Sequence, residues 1–222
     1  MEISPKRSHS HYLFYISLLL VLSHFSFSDA EIPPCNPQDE AVLIKIRDHF
    51  GGKNGPLSDW DSDCCFFPYV GCGGEGKSYG RVTAVTFPLN GILSGTIPSD
   101  FGDLPFLDFL IIANNVNVTG SIPKSLGKLK KLYHLELNSN SLTGPIPKEV
   151  LQLTGLKEVD LSYNKLSGPI PPSVSSLKSL TMFNVSHNQL CGPIPAGLNK
   201  FGKKSFLSNK CLCGPPLSTP CK

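Results

Sequence analysis

The sequence predicts an α/β solenoid of right-handed coils, with short parallel strands stacked into one concave sheet and a disulfide-bonded cap at each end. Three observations carry that reading. The first is a period. Leu132, Leu156 and Leu180 open successive blocks of 24 residues, and the same offsets recur inside each block. Apolar pairs come first (Leu135/Leu137, Val159/Leu161, Phe183/Val185), then Asn140, Asn164 and Asn188, then Leu142, Leu166 and Leu190. The second is the Gly-x-Ile-Pro of every block, at 144–147, 168–171 and 192–195. Proline there breaks any continuous helix, which rules out an all-helical domain with the same apolar spacing. The third is the placing of the eight cysteines, with Cys35, Cys64, Cys65 and Cys72 before the repeats and Cys191, Cys211, Cys213 and Cys221 at the end.

Taken in order, the chain begins with a segment outside the fold. Lys6 and Arg7 precede an apolar run of 11 residues at 12–22, and Ser28-Asp29-Ala30 supplies small residues at a cleavage spacing. Residues 1–30 therefore read as a secretory signal peptide, the run being too short to span a membrane. From Glu31 on, the chain is expected to be soluble, monomeric and extracellular. An even cysteine count in a secreted chain reads as a disulfide framework. Cys64-Cys65 and Cys211-x-Cys213 lack the usual spacing of zinc ligands, so neither metal nor cofactor is expected.

Residues 31–80 make the N-terminal cap. Asn36 caps a helix over 37–50, with Pro37 at its first position and Asp39 closing a capping-box-like arrangement. Val42, Leu43, Ile46 and Phe50 give that helix one apolar face, and Gly51-Gly52 ends it. A solenoid needs such a cap because its end would otherwise expose the core. Five coils fill 81–201. The first two, 81–104 and 105–129, are looser: they keep the strand pairs Val85/Phe87 and Leu110/Ile112 but carry one extra residue before the glycine, expected to bulge the loop. Five coils at strand spacing give a core roughly 24 Å long. Residues 202–222 form the second cap, with Phe206 and Leu207 covering the last coil. Within a coil, period-2 alternation sends Leu135 and Leu137 inward and His134, Glu136 and Asn138 outward. Each recurring asparagine has the donors and acceptors to satisfy backbone where the chain leaves the strand.

The pattern L-x-x-L-x-L-x-x-N-x-L with this period is the leucine-rich-repeat signature, and L-x-G-x-I-P is its plant-type form. Cys35-Asn36-Pro37-Gln38-Asp39, Leu57-Ser58-x-Trp60, Cys64-Cys65 and Asn209-Lys210-Cys211-Leu212-Cys213-Gly214 resemble the polygalacturonase-inhibiting proteins of plants, over nearly all of 33–222 and with fewer repeats than that family has. The resemblance implies disulfides Cys35–Cys64, Cys65–Cys72, Cys191–Cys211 and Cys213–Cys221. It also implies a cell-wall (apoplastic) location and a concave sheet that binds fungal pectin-degrading enzymes. Plant receptor-kinase ectodomains share the repeat.

Outward positions of the five strands fall into three columns: Ala84, Phe109, His134, Glu158 and Met182; Thr86, Ile111, Glu136, Asp160 and Asn184; Pro88, Ala113, Asn138, Ser162 and Ser186. An aromatic and aliphatic pair, Phe109 and Ile111, beside the acids Glu136, Glu158 and Asp160 makes a protein-binding surface, with His134, Asn138, Ser162 and Met182 completing it. Glu136 and Asp160 share a column at the spacing of a glycosidase pair, yet an open face offers no pocket for catalysis, so no enzyme is expected. From Glu31 to Asp108 there are 5 basic and 11 acidic residues, net −6; from Phe109 on, 13 lysines stand against 4 acids, net +9. The off-strand lysines, Lys128, Lys130, Lys131, Lys200, Lys203 and Lys204 among them, suit an acidic wall polymer such as pectin. Nucleic acid is excluded by secretion. Asn117-Val118-Thr119 and Asn184-Val185-Ser186 are glycosylation sequons, Asn117 in the bulged loop and Asn184 on the concave face.

Overall fold

The structure, a computed structural model, describes residues 33–87 and 91–221; the expected signal peptide and the outward position Pro88 lie outside them. Helix α1 runs Pro37–His49. Asn36 caps it, its Oδ1 accepting from Gln38 N and Asp39 N at 3.1 and 3.4 Å. Asp39 does not complete the capping box. Its carboxylate is 1% exposed and accepts from Arg81 Nε and Nη2 at 2.9 and 2.8 Å and from Val82 N at 2.9 Å. A buried carboxylate gains more from a guanidinium fork than from one amide, and Asn36 N goes to Gly80 O instead. The helix is thereby pinned to the first coil. Leu43, Ile46 and Phe50 are buried, while Val42 is only partly so. Trp60 stacks on Phe67 and Phe87 at 5.3 and 5.9 Å and donates Nε1 to Pro68 O, which closes the cap core.

The described strands are β1 (Val70–Cys72), β2 (Val82–Thr86), β3 (Ser94–Thr96), β4 (Phe109–Ile111), β5 (Asn117–Ser121), β6 (His134–Glu136), β7 (Ser141–Gly144), β8 (Glu158–Asp160), β9 (Lys165–Gly168), β10 (Met182–Asn184), β11 (Gln189–Pro193) and β12 (Cys211–Cys213). The concave sheet has the order β1-β2-β4-β6-β8-β10. It is parallel except for β1, which hairpins back from the cap onto β2. Register is continuous: Ala84, Phe109, His134, Glu158 and Met182 are successive neighbours, as are Thr86, Ile111, Glu136, Asp160 and Asn184.

A second sheet, β12-β11-β9-β7-β5-β3, was not expected. Read along the sequence, Gly-x-Ile-Pro is turn chemistry. In the fold, the residues around the glycine pair with the next coil, and proline, which has no N–H to donate, closes the strand. Asn117 heads β5 opposite Ser94 and so lies in this sheet, not in a bulge. The extra residue of the second coil is taken up between Asn115 and Val118, where Val116 stands 67% exposed. Gly120 is required here: its φ is +77°, and a Cβ would meet Thr96 Cγ2 at 2.8 Å.

Leucines of both sheets fill the core, and the recurring asparagines stitch it. Asn164 Oδ1 accepts from Leu142 N at 3.0 Å while its Nδ2 donates to Leu137 O at 2.8 Å. Asn188 does the same for Leu166 N and Leu161 O. Asn209 repeats the motif from the C-terminal cap, accepting from Leu190 N and donating to Val185 O. The cap is thus a partial sixth coil: Val185, His187 and Asn188 donate backbone N–H to Ser205, Leu207 and Ser208, and β12 pairs with β11. Phe206, the last residue of the 3-10 turn Lys203–Phe206, covers the fifth coil with no exposure, whereas Leu207, expected beside it, leaves that turn in extended backbone and is 43% exposed. Disulfides join Cys35 to Cys64, Cys65 to Cys72, Cys191 to Cys211 and Cys213 to Cys221. The sulfurs of Cys35, Cys64 and Cys65 cluster within 4.8 Å, and all three are spent in these bonds.

Candidate functional site

The centre of the concave face is built on β4, β6 and β8. Phe109 meets Tyr133 edge to face with centroids 4.6 Å apart and lies 5.7 Å from the His134 ring. His134 is held between two acids on adjoining positions, Nδ1 at 2.9 Å from Glu158 Oε2 and Nε2 at 3.4 Å from Glu136 Oε2. Lys157 Nζ sits 5.5 Å from the Tyr133 ring centroid. Ile111, next to Glu136 in register, extends the apolar part. The result is an aromatic cluster ringed by charge, the composition that anchors protein contacts.

Asp160 has a different task from Glu136, its neighbour in register. Its Oδ1 accepts from Ser162 N at 2.8 Å and its Oδ2 from Asn184 Nδ2 at 3.2 Å. Asn184 Oδ1 in turn accepts from Ser186 N and Oγ. These local bonds turn the chain inward after β8 and β10, which corrects the third column there. Ala113, Ser162 and Ser186 are buried, so Ser162 is no contact residue. Asn138 keeps some exposure and donates to Ser139 Oγ, but its Oδ1 is buried without a partner.

The lysines fall into two groups on separate elements. Lys128 pairs with Asp103 at 2.9 Å, Lys130 Nζ bonds Gly127 O, and Lys131 is exposed on the return turn of the second coil. Lys200, Lys203 and Lys204 belong to the C-terminal end, in Asn199–Phe201 and Lys203–Phe206.

Burial pushes the Asp108 carboxyl up, with Lys131 pulling it partly back. Asp108 precedes β4, and its backbone oxygen accepts from Tyr133 N and His134 N. A raised folded-state value means that the folded chain holds this proton more tightly than the unfolded chain. The group's contribution to stability is then present in acid and lost as pH rises through that value. Asp108→Asn is therefore expected to raise the melting temperature at pH 7 and leave it unchanged in acid below the carboxylate range, as measured by calorimetry at both.

Family models described as "Leucine rich repeat" and "Leucine rich repeat N-terminal domain" match residues 130–190 and 36–73. The chain superposes on the BIR2 ectodomain of Arabidopsis thaliana with a TM-score of 0.74 and 32% identity, covering 82% of this chain and 98% of that one. This chain belongs to the plant leucine-rich-repeat family. A solved BIR3–SERK2 complex, also from Arabidopsis thaliana, matches this leucine-rich-repeat chain with a TM-score of 0.70 and 31% identity, over 80% and 96% of the two chains. Among curated relatives, polygalacturonase inhibitor 1 of Arabidopsis thaliana is 40% identical over 108 residues, 47% of this chain and 31% of that protein. The chain thus spans about a third of that relative's length. Among the described residues, no helix is long and apolar enough to cross a membrane.

Sequence reasoning missed four residues of this leucine-rich-repeat face. Tyr133 and Lys157 stand one position before three-residue strands, where alternation was not counted. Tyr163 and His187 stack with centroids 4.1 Å apart and planes at 9°, each at the residue before the ladder asparagine. Their φ values are +53° and +55°. The signal for Tyr163 lay in its type: the equivalent position of the second coil holds Asn114, at home in left-handed backbone, and a tyrosine there costs about 1 kcal/mol or more.

Proposed function

We propose that this chain is a secreted recognition protein of the plant cell wall that grips a protein with its concave sheet, the partner being a fungal pectin-degrading polygalacturonase. The observation that carries the reading is the Phe109–Tyr133 pair on a sheet face ringed by His134, Glu136 and Glu158. The kinship with polygalacturonase inhibitor 1 gives that face an enzyme to meet. General acid catalysis asks for a carboxyl shut away from water; the Glu136 and Glu158 side chains are 29% and 44% exposed on an open sheet, which supports recognition over chemistry. Phe109→Ala with Glu136→Ala is expected to weaken binding by at least about tenfold, as loss of an aromatic anchor does, with the melting temperature nearly unchanged. Binding and inhibition assays against a panel of fungal polygalacturonases test this. Unchanged affinity in the double variant removes the central face as the site.

A second reading has its own observation. The chain superposes on the BIR2 ectodomain and on a BIR3–SERK2 complex, which supports an adaptor that docks on a receptor-kinase ectodomain or on pectin without inhibiting anything. A pull-down from wall extract run beside the panel separates the two. Retention on a pectin column at low ionic strength is expected if Lys203 and Lys204 meet the polymer, and loss of that retention in salt marks it as a charge effect.

A further inference from the structure

A trough of 920 Å³ opens at the C-terminal end of the concave sheet, between β10 and the cap. Met182, Phe201 and Leu207 give it an apolar lining, and Lys200 and Lys204 are its cations. Asp160 is its one acid, and both of its oxygens are already taken by Ser162 N and Asn184 Nδ2. Lys204 is exposed and makes no ion pair among the described residues. Lys200 donates Nζ to Leu180 O at 2.7 Å and lies 4.9 Å from the Phe201 ring centroid, which fixes its ammonium in place with protons to spare.

We propose that this trough is a second recognition subsite, taking a segment of the protein partner in which an acidic side chain stands beside a large apolar one. The inference rests on the protein-binding reading above and deepens it. The concave face changes sign along the solenoid: Glu136 and Glu158 make the centre acidic, while the far end offers ammonium groups beside the exposed Leu207. Neighbouring strands lie about 4.8 Å apart, so the change occurs within roughly 10–15 Å. That distance matches or exceeds the screening length of about 8 Å in physiological salt, so the two charged regions act as separate determinants and do not cancel. A partner covering the whole face has to present basic groups to the middle coils and an acid to the end. Burial of Leu207 and the Met182 thioether supplies apolar area that the charge pair alone lacks.

The chain contains two methionines, Met1 and Met182, so a methyl-¹³C-methionine NMR spectrum of the full chain carries a reporter inside the trough, assigned with Met182→Leu. The probes are acetyl-Gly-Glu-Phe-Glu-Gly-amide, the same peptide with Lys for Glu, and trigalacturonate. The acidic peptide is expected to shift the Met182 signal saturably. Its affinity should fall at least about tenfold in Lys204→Glu, a surface change that leaves the core intact. Phe109→Ala should leave it unchanged. Equal binding of the lysine peptide, no saturable shift, or indifference to Lys204→Glu overturns the proposal. Tighter binding of trigalacturonate than of the peptide overturns the protein partner as its occupant. If no polygalacturonase or receptor ectodomain is bound while the acidic peptide still is, the proposed function fails and the subsite stands; the reverse result removes the subsite alone.

Discussion

Arg81→Met is expected to lower the unfolding free energy by about 3 kcal/mol, because it leaves the Asp39 carboxylate buried without its counter-charge. Asp39 is 1% exposed and takes both of its guanidinium bonds from Arg81. The remaining bond, from Val82 N, cannot neutralise it. Hydrogen bonding to Asp39, opposed by burial and aided by its charge, raises the Arg81 guanidinium further above its ordinary range, so Arg81 keeps its charge. The Arg81 side chain keeps 16% exposure, which places the cost toward the lower end for a buried pair. Its guanidinium carbon also lies 4.4 Å from the Phe106 ring centroid, a contact that methionine partly replaces. Urea titration with disulfides intact measures the loss. A double-mutant cycle isolates the cause: Arg81→Met in an Asp39→Asn background should cost far less, since no buried charge is then stranded. Equal costs in the two backgrounds would show that Arg81 acts by packing alone.

That pair also marks where the sequence stopped being readable. Asp39 and Arg81 lie 42 positions apart, and no local pattern couples them; the helix rule assigned Asp39 to a nearer amide. By contrast, the concave register followed directly from the offsets. Equal spacing of Leu135, Val159 and Phe183 forces equal coils, and equal coils put His134, Glu158 and Met182 side by side. The second sheet was hidden because β5, β7, β9 and β11 each carry a single buried apolar residue, Val118, Leu142, Leu166 and Leu190, too few to show a period of two. Ser162 went wrong for a related reason: alternation was extended beyond Asp160, where β8 ends and the Asp160 carboxylate folds the next amide back on itself. The residues of the candidate face that escaped, Tyr133 and Tyr163, flank the strands at positions where backbone turning, not period 2, sets the direction of a side chain.

Asn164→Ala tests the other half of the architecture, the bonding between coils, and should cost about 2–3 kcal/mol. Asn164 is 8% exposed and joins two coils with one amide. Its oxygen holds Leu142 N and its nitrogen holds Leu137 O in the coil before, while weaker bonds at 3.2 and 3.1 Å reach Leu161 O and Ser162 O in its own. Alanine strands the buried Leu142 N–H, worth about 1–3 kcal/mol when left unpaired, and takes one of two donors from Leu137 O, which keeps Asn140 Nδ2 at 2.9 Å; water entering the gap recovers part of the loss. Asn164→Asp discriminates the two functions of the amide: it keeps the acceptor for Leu142 N but sets a carboxylate against carbonyl oxygens, so it should be at least as damaging as alanine. Asn209 offers the internal control. It carries the same bonds to Leu190 N and Val185 O at the last coil of the stack, where among the described residues no further coil closes over it. Asn209→Ala should cost less than the central change, about 1–2 kcal/mol. In a quasi-one-dimensional fold held by nearest neighbours, a central cut also uncouples the coils on either side, so the urea transition of Asn164→Ala should broaden where that of Asn209→Ala stays sharp. Matching losses and matching widths for the two variants would mean that leucine packing alone, and not the asparagine ladder, makes the stack cooperative.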